Sequence, residues 1–356
     1  MLFNLESDSG DAVCGYFVPD NFEEIPRITF VSGGKIVYEG LTDHPREVFV
    51  VHGRHRTGLC GFAVLEKDVP GLSGMSDLAV HEKTTGTLIY KRAQTDHVPK
   101  RMVRLETHLL PLWRLDNVLN RRFQYSANRI EASGRETTTQ LFNLSGVRSV
   151  YLSGRVLYRA FQHYIEGHFD VVFSMHHPYE ELAERLIVMA QINRTGSAIL
   201  GLRENMSLEP TMAYAQSLPL GDLRALGRAL RDMPVAVAKV LANPVTRQLT
   251  TSTPEEMPGG RAVSSALTTL ASFAVVGLRR AQTTFARAVE EFVGLDERLP
   301  TARELPGLTS LARLLKESRE VEWLIEQDLV LYNHIADAYR ACAPASLDFA
   351  AAAHPL

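Results

Sequence analysis

The sequence predicts an α/β protein, in which a small all-β sandwich precedes a three-layer domain built on a parallel sheet. Seven short runs rich in β-branched and aromatic residues fill residues 12–91. Apolar runs then alternate with amphipathic helical stretches over residues 123–189, which is typical of a parallel sheet covered by helices. The remainder is mostly helical in pattern, with one more apolar run, Phe273–Leu278.

Composition limits the classes of function. The chain has 356 residues, of which 45% are hydrophobic and 22% charged, and its net charge is −3. This length fits two domains, and the charge lacks the basic excess of a nucleic-acid binder. No apolar run approaches the roughly 18 residues of a membrane span, and residues 1–8 do not resemble a signal peptide. We therefore expect a cytoplasmic protein with no transmembrane segment and no nucleic-acid partner.

The predicted sandwich covers residues 1–95. Gly33-Gly34 lies between two alternating runs and indicates a tight hairpin. The basic cluster at residues 52–56 is either a solvated loop or a contact for an anionic glycan. The expected strands are Ala12–Val18, Arg27–Val31, Lys35–Glu39, Glu47–Val51, Leu59–Leu65, Asp77–His81 and Thr87–Lys91.

The predicted α/β domain covers residues 96–342, and residues 343–356 form a flexible tail. Its leucine-rich beginning favours an amphipathic helix interrupted at Pro111. The expected central strands are Val147–Leu152, Phe169–Met175 and Phe273–Leu278. The expected helices are Arg155–Ile165, a helix from Pro178, and stretches near 207–242, 258–272, 280–293 and 309–342.

A stretch of small and hydroxyl residues, Gly134–Thr139, separates a predicted strand from a predicted helix. Backbone N–H groups at such a junction can hold an anion, and hydroxyls add donors. Arg135 supplies a positive charge in the same stretch. An ordinary helix N-cap rich in threonine is the alternative, because threonine favours caps for the same hydrogen-bonding reason.

Four regions in this order resemble the carbohydrate sulfotransferases, in particular the heparan sulfate 2-O-sulfotransferase family. The first is similar to the loop that holds the donor's 5′-phosphosulfate, and the second to the turn that grips its 3′-phosphate. The third and fourth are similar to motifs in the family's C-terminal half. They are Arg135–Thr139, Phe173–Leu182, Asn243–Leu249, and Phe273–Leu278 together with Asp328–Tyr332.

The chain also departs from the family pattern. His176 stands where the 3′-phosphate motif has an Arg, and Glu184 stands where it has a Ser. Arg155 occupies the turn in which the family has its catalytic His, and arginine stays protonated near neutral pH. Arg279 and Arg280 follow the late strand, where the family has a Glu.

The resemblance implies a sulfotransferase-like, P-loop-type fold whose donor is 3′-phosphoadenosine 5′-phosphosulfate (PAPS). The acceptor would be a glycan or another small molecule with a hydroxyl group, in bacterial surface polysaccharide modification. A homodimer is compatible with this function. A catalytically inactive protein that binds a glycan or a partner is the alternative, which the departures favour. The implied donor-binding residues are Gly134, Arg135, Thr137, Thr138, Thr139, His176 and Arg247, and the implied catalytic residues are Arg155 and His177.

Other chemistry has weaker support. His177 and Glu181 have helical i, i+4 spacing, but the sequence identifies no third metal ligand. We therefore expect no metal site and interpret the nearby glutamates as a solvated helix N-terminus. The three cysteines, Cys14, Cys60 and Cys342, lack zinc or redox spacing.

Overall fold

The structure is a computed structural model that describes residues 1–195, 200–303 and 305–342. These residues form two antiparallel sheets, one parallel sheet and a set of α-helices. The predicted α/β class is therefore confirmed at this level. The predicted tail, residues 343–356, lies outside the described residues.

Two four-stranded antiparallel sheets fill the N-terminal region. Their orders are β1-β2-β6-β5 and β4-β3-β7-β8. The rings of Phe30 on β3 and Phe62 on β6 meet edge to face, with centroids 6.1 Å apart, so side chains from both sheets share one core. The strands are β1 (Leu2–Asp8), β2 (Ala12–Val18), β3 (Arg27–Ser32), β4 (Lys35–Leu41), β5 (His44–Pro45), β6 (Leu59–Leu65), β7 (Ala79–Glu82) and β8 (Leu88–Lys91).

The strand predicted at Glu47–Val51 is wrong, because this segment is a short helix, α1 (Glu47–Val51). Its backbone bonds close locally: the N–H of Phe49 donates to the carbonyl of Arg46, and that of His52 to the carbonyl of Val48. None of its residues is buried. Valine-rich composition favours a strand where side chains pack against a neighbour, and these valines have no such packing.

The third sheet has the strand order β10-β11-β9-β12-β13. Within it, β12 runs parallel to both β9 and β13. Three of these strands confirm the predicted ones at Val147–Leu152, Phe169–Met175 and Phe273–Leu278. The bounds are β9 (Arg101–Leu105), β10 (Tyr125–Asn128), β11 (Val150–Gly154), β12 (Asp170–Met175) and β13 (Val275–Leu278).

Strand β9 was not predicted, because its region was interpreted as a helical linker. A charged residue, Arg104, is the fourth of the strand's five residues and interrupts its apolar run. Its side chain is buried and donates to Glu106 Oε1 at 2.5 Å and to Asp116 Oδ1 at 2.6 Å. The two carboxylates compensate the buried guanidinium, so a strand that looks polar in sequence occupies an interior place in the sheet.

Helices account for most of the remaining described residues. The long predicted stretches near 207–242 and 309–342 are each divided into three helices. In the part of the chain that is described, no helix has both the length and the apolar character needed to cross a bilayer. The bounds are α2 (Trp113–Arg122), α3 (Arg135–Phe142), α4 (Tyr158–Ile165), α5 (Pro178–Thr195), α6 (Leu202–Ser217), α7 (Leu223–Arg231), α8 (Val235–Leu241), α9 (Pro244–Thr250), α10 (Ala262–Ala271), α11 (Gln282–Val293), α12 (Leu308–Lys316), α13 (Arg319–Leu324) and α14 (Glu326–Cys342).

The chain divides into two compact units that alternate along the sequence. The first comprises Met1–Arg101, Leu119–Asn128 and Ser133–Leu152. The second comprises Met102–Val118, Arg129–Ala132 and the residues from Ser153 onward. Each unit is therefore assembled from segments that are far apart in the sequence.

Two helices of the second unit cap each other. The Asp328 carboxylate on α14 accepts hydrogen bonds from the N–H of Val245 (3.0 Å), the N–H of Thr246 (2.7 Å) and the Thr246 hydroxyl (2.6 Å). In return, Asn243 Oδ1 accepts from the N–H groups of Gln327 and Asp328. Burial raises the pKa of Asp328 to about 6, against the lowering effect of these hydrogen bonds. Two of the stretches that resemble family motifs, Asn243–Leu249 and Asp328–Tyr332, are thus joined by hydrogen bonds that cap helices.

We expect Asp328→Ala to destabilise the protein by about 2–4 kcal/mol, because it leaves two N–H groups and a hydroxyl buried without their acceptor. Urea unfolding followed by circular dichroism measures the change. Asp337→Ala is the matched control on the same helix, since Asp337 is exposed and, within the part of the chain that the structure describes, pairs only with Arg340. It should change stability by less than about 0.5 kcal/mol. Equal unfolding midpoints for the two variants would contradict the capping role.

Candidate functional site

Polar residues follow three neighbouring parallel strands. His176 and His177 come directly after β12, Arg279 and Arg280 come directly after β13, and Glu106 follows β9. The chain leaves β9 toward β10 but leaves β12 toward β13, which lies on the opposite side of the sheet. Strand ends where the direction of connection reverses are the usual ligand sites of parallel sheets.

A cavity of about 700 Å³ lies in the second unit and is lined by residues that follow β12 and β13. Residues at the start of α2, on α11 and near the start of α12 also line it. Its lining carries five arginines and one histidine against two glutamates, Glu180 and Glu184. The arginines are Arg114, Arg279, Arg280, Arg303 and Arg313.

His176 is held between the two glutamates. Its Nδ1 lies 3.8 Å from Glu180 Oε2, and its Nε2 lies 3.4 Å from Glu184 Oε2. Burial alone would lower the pKa of His176, but the two carboxylates outweigh burial and raise it to about 9. The side chain is therefore an imidazolium at neutral pH and cannot act as a base there.

The charges of both glutamates are compensated within the protein. Glu180 Oε1 accepts a hydrogen bond from Arg280 Nη2 at 2.9 Å. Although burial acts to raise the pKa of Glu180, His176 and Arg280 lower it to about 2. Glu184 Oε1 accepts from the N–H of Leu110 at 3.1 Å, and its pKa is lowered mainly by His176 against the effect of burial. Both side chains are carboxylates with partners already in place.

Arg279 differs from the other charged groups at the inner wall of the cavity. Within residues 1–195, 200–303 and 305–342, no hydrogen bond or ion pair is made by its guanidinium. Burial lowers the pKa of Arg279, but an arginine stays protonated at any ordinary pH. The opposite charge that acts on it most strongly is Glu184, followed by Glu106 and Glu181, and none of these carboxylates forms an ion pair with it. A partly buried guanidinium whose N–H groups have no direct acceptor is a place for an anionic ligand.

Arg155, a predicted catalytic residue, is committed to structural contacts. Its Nη2 lies 2.9 Å from Glu131 Oε1 and 2.6 Å from Glu204 Oε1. Its Nη1 donates to the backbone carbonyls of His108 and Leu109 at 3.2 and 3.0 Å. The guanidinium therefore fixes the loop that follows β9, and it has little capacity left for a transferring group.

The loop held by Arg155 carries a neutral histidine. His108 is buried, and its pKa is well below the usual value because of burial and the nearby positive charges, Arg279 first. Its ring meets the ring of His176 edge to face, with centroids 5.9 Å apart. The site thus places a neutral imidazole beside a protonated one.

The predicted phosphate loop, Gly134–Thr139, belongs to the first unit, whereas the cavity belongs to the second. Helix α3 already begins at Arg135, so the three threonines are helical rather than part of a loop. The Thr137 hydroxyl donates to the carbonyl of Met1 at 3.1 Å, and the Thr138 hydroxyl donates to the carbonyl of Gly134 at 3.2 Å. Arg135 is exposed.

The other predicted residues lie outside the cavity lining, apart from His176. Burial, assisted by Arg280, lowers the pKa of His177 to about 4. Its ring stacks on Tyr179 and meets Tyr332 at a centroid distance of 4.7 Å. Arg247 donates to the backbone carbonyl of Lys239. No group of three or more potential metal ligands is found among the described residues.

Comparison with known proteins adds no family. No protein-family model matches the chain, and no curated protein matches it. The functional interpretation therefore depends on the geometry of the cavity.

In the sequence, Arg279 and Arg280 stand out only as a departure from a family motif. A signal was nevertheless present, because two arginines directly follow an apolar strand of a predicted parallel sheet. Arg114, Arg303 and Arg313 had no such signal, since each reaches the cavity only through the packing of helices and loops.

We expect the stability of the protein to fall as pH rises above 6.5, because the folded pKa of His176 is about 9. Protonated His176 contributes its full stabilisation below the pKa of histidine in the unfolded chain, near 6.5, and this contribution is lost as pH rises through 9. Its contribution to the free energy of unfolding is on the order of 3 kcal/mol. Urea unfolding between pH 6.5 and 9.5 measures it.

His176→Gln should remove this slope, whereas His163→Gln, which changes an exposed histidine, should leave it unchanged. The same slope in wild type and in His176→Gln would contradict the assignment.

Proposed function

We propose that the protein is a sulfotransferase-like transferase that moves a sulfuryl group from PAPS to a hydroxyl of a glycan or other small acceptor, in bacterial surface polysaccharide modification. The donor would bind in the cavity at the ends of β12 and β13, within a three-layer, P-loop-type domain. The observation that carries the proposal is the unpaired guanidinium of Arg279 in the wall of that cavity. The donor site would therefore lie in this cavity and not at the Gly134–Thr139 stretch.

The charge balance of the cavity fits a ligand with several negative charges. Glu180 and Glu184 are compensated by His176 and Arg280, so Arg279 and the exposed arginines of the lining remain for the ligand. Helix α2 adds to this attraction, because residues of its first turn, Trp113–Leu115, line the cavity. The N-terminus of a helix carries a partial positive charge that favours phosphate.

The cavity residues could perform distinct parts of sulfuryl transfer, in which the donor supplies the group and leaves as adenosine 3′,5′-bisphosphate. Arg279 and the His176 imidazolium would stabilise the negative charge that grows on the leaving phosphate. The Glu184 carboxylate, which is ionised at neutral pH, would accept the proton of the acceptor hydroxyl. Arg155 would act as a positioning residue through the loop after β9.

A binding protein without catalytic activity is the second candidate. The observation that favours it is the ion pairing of His176 with two carboxylates, which leaves no neutral imidazole among the described residues of the cavity lining. Such a protein would hold an anionic ligand without turning it over.

We expect Arg279→Gln to weaken the binding of adenosine 3′,5′-bisphosphate by about 10- to 150-fold, the scale of a charged hydrogen bond of about 1.5–3 kcal/mol. Isothermal titration calorimetry measures the affinity. Arg287→Gln is the matched control, because Arg287 is an exposed arginine on α11 outside the cavity lining, and it should bind like the wild type.

Arg135→Ala tests the competing location of the donor site. Weak binding by Arg135→Ala together with normal binding by Arg279→Gln would return the site to the Gly134–Thr139 stretch. No binding of any phosphonucleotide by the wild type would overturn the proposal. Release of adenosine 3′,5′-bisphosphate from PAPS in the presence of acceptor would separate the transferase from the binding protein.

A further inference from the structure

The uncharged part of the cavity lining is largely apolar. Leu112, Trp113 and Leu115 contribute from the start of α2, Phe285 from α11, and Leu305 and Leu308 from the segment that enters α12. The charged residues that follow the strands, His176 and Arg279 among them, come from the edge of the sheet instead. Charged and apolar lining residues are thus supplied by different elements.

Several of these apolar side chains remain accessible. Trp113 is 47% exposed, and Leu112 and Leu305 are half-buried. Apolar surface that a cavity leaves accessible gains free energy when an apolar ligand covers it.

Groups that recognise sugar hydroxyls are scarce in the same lining. Among the described lining residues, the uncharged hydrogen-bonding side chains are Gln282, Thr301, Thr309 and the single indole N–H of Trp113, and neither asparagine nor aspartate is present. Glu180 is already bonded to Arg280, and Glu184, which accepts one backbone N–H through Oε1, would serve only the single hydroxyl that receives the sulfuryl group. The lining arginines that have no ion-pair partner among the described residues would be engaged by the phosphates of the donor, so a free oligosaccharide would find few partners here.

We propose that the acceptor is an amphiphile, a sugar hydroxyl carried on a long alkyl or isoprenoid chain, whose chain packs on the apolar lining from α2, α11 and the entry to α12. This inference rests on the proposed function, because it names the class of molecule that receives the sulfuryl group. The chain would supply the binding energy, and the hydroxyl would be presented to the strand-end charges.

The two tryptophans of the chain allow a direct measurement. Trp113 lines the cavity, whereas Trp323 lies outside the lining and is 76% exposed. In the Trp323→Phe variant, Trp113 is the only tryptophan left, so its fluorescence reports on the cavity. Titration uses hexyl, octyl and decyl glucoside below their micelle concentrations, with and without adenosine 3′,5′-bisphosphate.

We expect the emission of Trp113 to shift to shorter wavelength and the affinity to rise by up to about fourfold for each added CH₂ group. Glucose and a soluble oligosaccharide should give no shift. Wild-type calorimetry should show the same dependence on chain length, and Trp113→Ser should reduce it, whereas Trp323→Ser should preserve it.

A flat response to chain length would overturn the inference. If adenosine 3′,5′-bisphosphate still bound in that case, the proposed transferase would stand with a different acceptor. Conversely, chain-length-dependent binding without any nucleotide binding would support the amphiphile site and overturn the nucleotide donor.

Discussion

The second compact unit depends on the pairing of charged residues that it buries on strand β9, directly after strand β11 and on helix α5. A charge removed from water is tolerated when an opposite charge and further hydrogen bonds compensate it. Arg104 is matched by Glu106 and Asp116, Arg155 by Glu131 and Glu204, and Arg185 by Glu181.

Two of these arginines also join different parts of the unit. Arg155 connects the turn at Ile130–Ala132, helix α6 and the loop after β9. Arg185 connects α5 to the same loop through the carbonyl of Thr107. The loop is thus held by two buried guanidinium groups, and the residues that directly follow these contacts, from Leu110 to Leu115, line the cavity. Arg279 differs from these arginines, because nearby carboxylates act on its charge but none of them pairs with it directly.

The sequence allowed the prediction of strands whose apolar character is continuous. Val172 and Phe173 of β12 are fully buried, and an uninterrupted apolar run identifies such a strand without knowledge of its neighbours. Strand β9 failed this test because Arg104 interrupts it, and the partners that make Arg104 acceptable are recognisable only after folding. The opposite error occurred at α1, where the valine-rich composition predicts a strand. These valines are not buried against a neighbouring strand, and the segment is a helix.

The same distinction applies to the candidate site. His176 was identified from its position after a strand, but its protonation state depends on Glu180 and Glu184, whose distances no spacing rule supplies. Arg155 was correctly singled out as a basic residue at a strand end, yet its contacts direct it toward backbone carbonyls and two glutamates. The sequence predicted where these charged residues lie. Whether a charged group can still bind a ligand depends on its hydrogen bonds and ion pairs, which only the structure supplies.

Because the two compact units alternate along the sequence, neither can be produced as one continuous fragment or exchanged by a single recombination event. The chain passes from one unit to the other at Arg101, returns at Leu119, and crosses again before Arg129, Ser133 and Ser153. No single cut therefore releases either unit intact, and a fragment ending near residue 101 lacks two segments of its own unit. Recombination at one point would separate parts that fold together, so the two units are expected to be gained, lost and exchanged as a single piece.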